Sequence, residues 1–267
     1  RISRSTNTDN RSAAFSLLFI ATFSATLIGS TLSGALMQNY GFHLPLILSV
    51  FIVLFSLPLS LKLPQVKPFN PTVQLGFFTG LRNMNRTVWL MTLFKTSFNS
   101  VNGITAIVYP LLLRYSFNLD PMVVGLILTL RSAVDLLGLM LAGRVRSTKG
   151  RMNLLSCVFF FIPLFISFAF INNLFGIIFL MCAIAFFNGL IVPTMDAFLA
   201  DTARLAQIGI AFGIMDTTMR IGISSGNLIG GFISDQYGFF NAAATAGFIA
   251  IIPLCTTWLI RKNIKQT

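Results

Sequence analysis

The sequence predicts an all-α membrane protein with eight membrane-spanning helices, and three observations carry that prediction. Apolar residues make up 55% of the 267-residue chain and charged residues only 10%, against roughly a quarter charged in soluble domains. Apolar runs of membrane-crossing length recur from one end of the chain to the other. The basic residues also alternate: 15 of the 19 Lys and Arg fall in connections on one side of the predicted bilayer, and only Arg114 falls on the other.

Residues 1–12 are polar and basic, with Arg1, Arg4 and Arg11. The charge-free run Ala13–Met37, at about 1.5 Å per residue, exceeds the roughly 30 Å hydrocarbon core. Asn39-Tyr40-Gly41 is a turn, and Phe42–Leu61 is the second span. Residues 62–87 hold three prolines with Lys62, Lys67, Arg82 and Arg86, and this longest break in hydrophobicity is a connector. Val88–Leu112 is the third span, interrupted by Lys95 and by the polar set Asn99, Asn102 and Gly103. Met122–Gly143 is the fourth and contains Arg131 and Asp135. Met152–Met195 is uncharged but far too long for one crossing, so Asn172-Asn173 divides it into the fifth and sixth spans. The seventh lies within Ala211–Phe239, and Asn241–Ile260 is the eighth. The excess of basic residues puts both termini and the 62–87 connector in the cytoplasm. It also explains the net charge of +12 without nucleic acid. Trp89 and Trp258 sit at the cytoplasmic ends of their spans, and Tyr40, Tyr115 and Tyr237 at the opposite ends, as interfacial aromatic belts require.

The seventh span organises the chain. Gly222, Gly226 and Gly230 recur every four residues and share one helix face where another backbone can approach closely. Asp216, Arg220 and Asn227 fall on a neighbouring face. The stretch has an echo in Ala14–Phe42. Ala-Phe, Gly29 over Gly226, Gly34 over Gly231 and a closing Tyr-Gly-Phe coincide, and Ala25, Gly29 and Ser33 lie under the glycine ladder. This reads as an internal duplication.

Enzyme chemistry finds no support in the residues. With His43 as the only histidine and all seven acidic residues Asp, an H-E-x-x-H metal site is impossible. There is no paired-Asp magnesium site, no G-x-S-x-G elbow and no phosphate loop with a Lys. No cofactor or metal is expected. Cys157, Cys182 and Cys255 all lie in apolar runs and form no disulfide framework.

The intramembrane charges are the candidates for function, because ionisable groups in hydrocarbon are expensive. Arg131 with Asp135, and Asp216 with Arg220, are each four residues apart and can meet on their own helix face. Each pair admits two readings: a self-neutralising structural pair, or cavity-lining groups that change partner or protonation. Lys95 is expected to snorkel to the nearby cytoplasmic surface, and Asn99 and Asn102 to hydrogen-bond in a cavity or between helices. Asp201 is expected to join Arg204 and Arg151 in a cytoplasmic charge cluster.

Together these features resemble the major facilitator superfamily of secondary transporters. The loop Gly143-Arg-Val-Arg-Ser-Thr-Lys-Gly150-Arg151 is similar to that family's G-x-x-x-D-R-x-G-R sequence; Ser147 and Thr148 replace the usual Asp and Arg. Gly29-Ser-Thr-Leu-Ser-Gly34 is similar to G-P-x-x-G-G with Ser at the Pro and first paired Gly, which weakens a reading as a drug–proton antiporter. The resemblance implies two six-helix halves, of which the chain holds the fifth to twelfth helices. Residues 1–61 would end the N-terminal half, 62–87 would connect, and 88–267 would be the C-terminal half. It further implies alternating access in the plasma membrane, moving a small organic solute, with protons as a candidate coupling ion and a substrate face on the third, fourth and seventh spans. A channel, a lipid-handling protein or an inactive transporter fragment are the alternatives. If protons drive transport, Asp135 and Asp216 are the candidate titrating groups, with Asp216 first.

The topology has a direct test. In a cysteine-free background, an impermeant thiol reagent added outside is expected to label Asn118→Cys and to miss Asn70→Cys; the reverse pattern overturns the orientation.

Overall fold

The computed structural model describes residues 11–61, 84–203 and 207–266, and every regular element among them is helical. The helices are α1 (Arg11–Tyr40), α2 (His43–Leu61), α3 (Arg86–Leu111), α4 (Pro121–Ala142), α5 (Thr148–Leu155), α6 (Phe161–Ser167), α7 (Leu174–Thr202), α8 (Ile208–Tyr237), α9 (Phe239–Ile249) and α10 (Ile251–Gln266). A π-helical turn, Leu112–Ser116, extends α3, and a 3-10 segment, Ser156–Phe160, joins α5 to α6. Counting α5–α6 and α9–α10 as single rods, the described residues make eight rods in the predicted order. The connector expected at 62–87 lies almost wholly outside the described residues, as does Arg204.

Local chemistry fixes the ends. Asn85, Ser147 and Asn173 have extended backbone and accept hydrogen bonds from the first-turn amides of Thr87, Gly150 and Gly176. Asn173 is the residue that divides the long apolar run. Pro121 opens α4, where its missing N–H costs nothing. Gly238, at φ +86°, breaks α8 from α9 in a conformation that side chains with a Cβ rarely adopt.

Five rods are long and apolar enough to cross a membrane: Phe15–Tyr40, Pro121–Ala142, Thr148–Ser167, Leu174–Thr202 and Phe239–Asn263. Two others, α3 and α8, are long but more polar, and they make the most extensive helix contact in the molecule. The glycine ladder makes the contact. A Cβ on Gly222 or Gly226 would collide with the carbonyl oxygens of Thr96 and Ser100, and one on Gly230 would sit 3.1 Å from the Ile104 Cα. Gly103 answers from α3, where a Cβ would collide with the Ile223 carbonyl oxygen. A second close pair is α4 with α7, through Gly138 against the Phe186 carbonyl and Gly189 against the Asp135 carbonyl.

Helix α1 packs on α4. A Cβ on Gly34 would lie 2.8 Å from the Pro121 carbonyl oxygen, and Ser30 and Thr31 hydroxyls lie 3.1 and 2.5 Å from that of Thr129. Gly29, expected to be a packing glycine, has nothing within 4 Å of where its Cβ would be. The face that packs carries Ser30 and Gly34 instead, which turns Ala25, Gly29 and Ser33 outward. The core between α3 and the α5–α6 rod is aromatic. Phe94, Phe98, Phe161, Phe165 and Phe168 form a chain of ring contacts that ends on Tyr109, 5.7 Å from Phe168.

The ladder predicts a graded response. Gly226→Ala is expected to destabilise by about 1–3 kcal/mol through overpacking, and Gly226→Leu to prevent assembly. Gly231→Ala, with nothing within 4 Å of its Cβ, is expected to leave the melting temperature in detergent unchanged. Equal tolerance at both positions would remove the ladder as the cause of the contact.

Candidate functional site

Lys95 is nine-tenths and more buried, with 4% of its side chain exposed, and its ammonium donates to Asp196 Oδ1 at 2.8 Å and to Asp216 Oδ1 at 3.0 Å. Three helices meet at this group: α3 supplies Lys95, α7 Asp196 and α8 Asp216. Their depths agree. At about 1.5 Å per residue, Lys95 lies roughly 14 Å from the start of α3, Asp216 roughly 12 Å from the start of α8, and Asp196 roughly 9 Å from the end of α7. The two carboxylates differ in access, Asp196 being buried (11% exposed) and Asp216 open (61%). Beneath the group, Asn99 donates to the Lys95 carbonyl at 2.8 Å, and Ser100 meets Ser225 at 3.2 Å.

Lys95 therefore does not snorkel. Its ammonium is held instead by two carboxylates, one from α7 and one from α8. The same geometry corrects the expected Asp216–Arg220 pair: Asp216 turns to Lys95, and exposed Arg220 makes no ion pair among the described residues. Nor do Arg131 and Asp135 close on each other. Asp135 accepts from the Asn188 amide at 2.9 Å, and the Arg131 guanidinium lies over the Tyr109 ring, 5.1 Å from its centroid. Spacing by four brings two helix positions side by side, but a better-placed group on a neighbouring helix wins the contact. Asn102 is half-buried, and its backbone carbonyl accepts from the Thr105 hydroxyl at 2.9 Å. Asn227 is half-buried with its side-chain oxygen unpartnered.

At the basic end a separate cluster ties the loop after α4 to α7. Arg151, 1% exposed, pairs with Asp201, and the Thr148 hydroxyl donates to the same carboxylate at 3.2 Å. Ser147 caps α5 through the Gly150 amide at 3.1 Å. The two residues that depart from the family pattern thus hold the loop by a cap and by a hydrogen bond from an uncharged hydroxyl to the Asp201 carboxylate. Gly143 ends α4 where a Cβ would lie 3.2 Å from the Ser16 side chain, and Gly150 has Val145 2.6 Å from its Cβ position. At the opposite end, α1–α4 line an open apolar pocket of about 400 Å³ walled by Met37, Phe42, Pro110, Leu111 and Leu128, with Arg114 also in its lining.

Asp196, Tyr109 and Asn188 escaped sequence reasoning, and Lys95 was misassigned. Lys95 and Asp196 carried the same signal as the other intramembrane charges, but their separation in sequence hid their pairing. Tyr109 and Asn188 carry no such signal. The described residues contain no cluster of metal ligands.

The sequence profile described as Major Facilitator Superfamily matches residues 88–266. A search of curated proteins returned no match to the chain.

Breaking the Lys95 group from one side should be costly. Lys95→Met leaves Asp196 buried without its cation and is expected to destabilise by about 3–5 kcal/mol. Adding Asp196→Asn to Lys95→Met should recover most of that loss in thermal unfolding. A Lys95→Met protein as stable as the parent would show that the group carries no buried charge.

Proposed function

The chain belongs to the major facilitator superfamily, whose members are membrane transporters of small molecules, and from that premise we propose that it moves a small organic solute by alternating access, with Lys95, Asp196 and Asp216 as its charge switch. The observation that carries the proposal is one ammonium shared by two carboxylates of unequal access. Asp216 shares the glycine-locked α3–α8 pair with Lys95, whereas Asp196 stands on α7. The two carboxylates therefore compete for Lys95, one within the pair and one across to its neighbour.

Protonating Asp216 leaves Lys95 to Asp196 alone and tightens the link to α7. Deprotonation restores the competition. Exposed Arg220, one turn along α8, offers Asp216 a second partner when it swings away from Lys95, so a carboxylate that exchanges partners can couple helix position to protonation. Asn99, Asn102 and Asn227 supply neutral hydrogen-bonding groups along the same helix pair, and Arg131 and Asp135 a further charged step on α4. We place the basic end in the cytoplasm, on the strength of the uneven distribution of Lys and Arg, and the protein in the plasma membrane by likeness to its family.

Proteoliposomes with an imposed pH gradient, screened with labelled small solutes, test this reading. Asp216→Asn is expected to abolish gradient-driven accumulation while leaving solute exchange within about twofold of the parent. An Asn variant that accumulates solute like the parent makes Asp216 a structural partner of Lys95 and removes it from coupling.

A further inference from the structure

Four side chains from three helices form a second polar cluster that shares no residue with the Lys95 group: Tyr109 on α3, Arg131 and Asp135 on α4, and Asn188 on α7. Tyr109 is fully buried, with Phe168 stacked on its ring and the Arg131 guanidinium over it. Asp135 and Asn188 are buried and joined by the 2.9 Å hydrogen bond between them. Three buried polar atoms here have no partner: the Tyr109 hydroxyl, Arg131 Nε and Asn188 Oδ1. The full charges of Arg131 and Asp135 also stand near each other without an ion pair within 4 Å among the described residues.

An apolar bundle keeps such a set only where something else satisfies it, because unpaired polar groups and charges are expensive to bury. The groups of the cluster have a definite polarity. On one side are a phenolic O–H and a guanidinium N–H, both donors and one cationic. On the other are an amide oxygen and a carboxylate, both acceptors and one anionic. The complement is a molecule that carries both an anionic acceptor and a cationic donor. A simple carboxylate would set a second anion against Asp135, a simple amine would leave Arg131 unmet, and a sugar would bring hydrogen bonds without charge.

We propose that Tyr109, Arg131, Asp135 and Asn188 form the head-group site for a small zwitterion of the α-amino-acid type. This inference names the solute class for the transport proposed above, and it rests on that reading only in making the site a station on the route. Tyr109 and Arg131 hold the carboxylate; Asp135 and Asn188 hold the ammonium.

Three probes with one phenyl body test it on the purified full chain in detergent: phenylalanine, 3-phenylpropionate and 2-phenylethylamine. Bound ligand raises the melting temperature by mass action. Phenylalanine is expected to do so at concentrations about tenfold or more below those the other two need, because a site built for both groups penalises loss of either. Tyr109→Phe removes one oxygen from a packed ring, so the unliganded melting temperature should hold while phenylalanine binding weakens about tenfold. Asp135→Asn should erase the preference, leaving 3-phenylpropionate as effective as phenylalanine. No shift with any probe, equal shifts with all three, or unchanged binding in Tyr109→Phe overturns the site. Binding without phenylalanine counterflow in proteoliposomes upholds the site and sinks the transport reading. Counterflow of other solutes without phenylalanine binding sinks the site alone.

Discussion

A charge that water cannot reach must be answered by the protein, and the position of Lys95 imposes that constraint on three helices at once. Its ammonium holds one carboxylate from α7 and one from α8, so neither helix can shift along α3 without stretching a charged hydrogen bond. The same constraint, in weaker form, runs through every rod. Hydroxyls on apolar helices bond back to their own carbonyls four residues earlier, as Thr22, Thr26, Thr92, Thr96 and Ser132 do. Where no water competes, these hydroxyls find a partner inside the protein, and the Tyr109 cluster stands out because three of its polar atoms do not.

Two kinds of joint result. Glycines let backbones touch in α3–α8 and in α4–α7, and such contacts leave little room to slide, since a neighbour's carbonyl fills the place where a side chain would be. The pairs are joined to each other by longer side chains: Lys95 to Asp196, and Arg131 over Tyr109. Flexible charged stems can lengthen, rotate or trade partners at modest cost. Rigid pairs with adjustable joints between them suit a molecule that changes shape in large pieces, and both polar clusters sit at those joints.

The aligned small residues of Ala14–Phe42 and Ala211–Phe239, expected to pack alike as an internal duplication, do not do so. Helix α8 packs with the face of Gly222, Gly226 and Gly230, whose counterparts Ala25, Gly29 and Ser33 face outward on α1. Helix α1 packs with the face of Ser30 and Gly34, whose counterparts are half-buried Asn227 and Gly231, the latter with no close neighbour. Each helix uses the face the other leaves open. Two copies of one helix, each carrying two small-residue faces, would behave this way if each face had its own kind of partner.

The sequence by itself determined the elements, because apolar length, turn residues and the distribution of charge are local properties. It located the division at Asn173, the close face of α8 and the helices that carry polar groups, all of which follow from a period or a composition. Asp201 with Arg151 was legible because the loop pattern brought them together. Which charge meets which inside the bundle was decided by the tertiary structure alone. Lys95 and Asp196 are a hundred residues apart, and no helical period relates them; their meeting depends on how the glycine contacts set α3, α7 and α8 side by side. Gly29 and Gly34 look alike in sequence, and only the rotation of α1 against α4 made one a contact and the other open. The four-residue pairs failed for the same reason. Adjacency on one helix fixes where two side chains start, but the deepest energy available to a buried charge depends on every neighbouring helix.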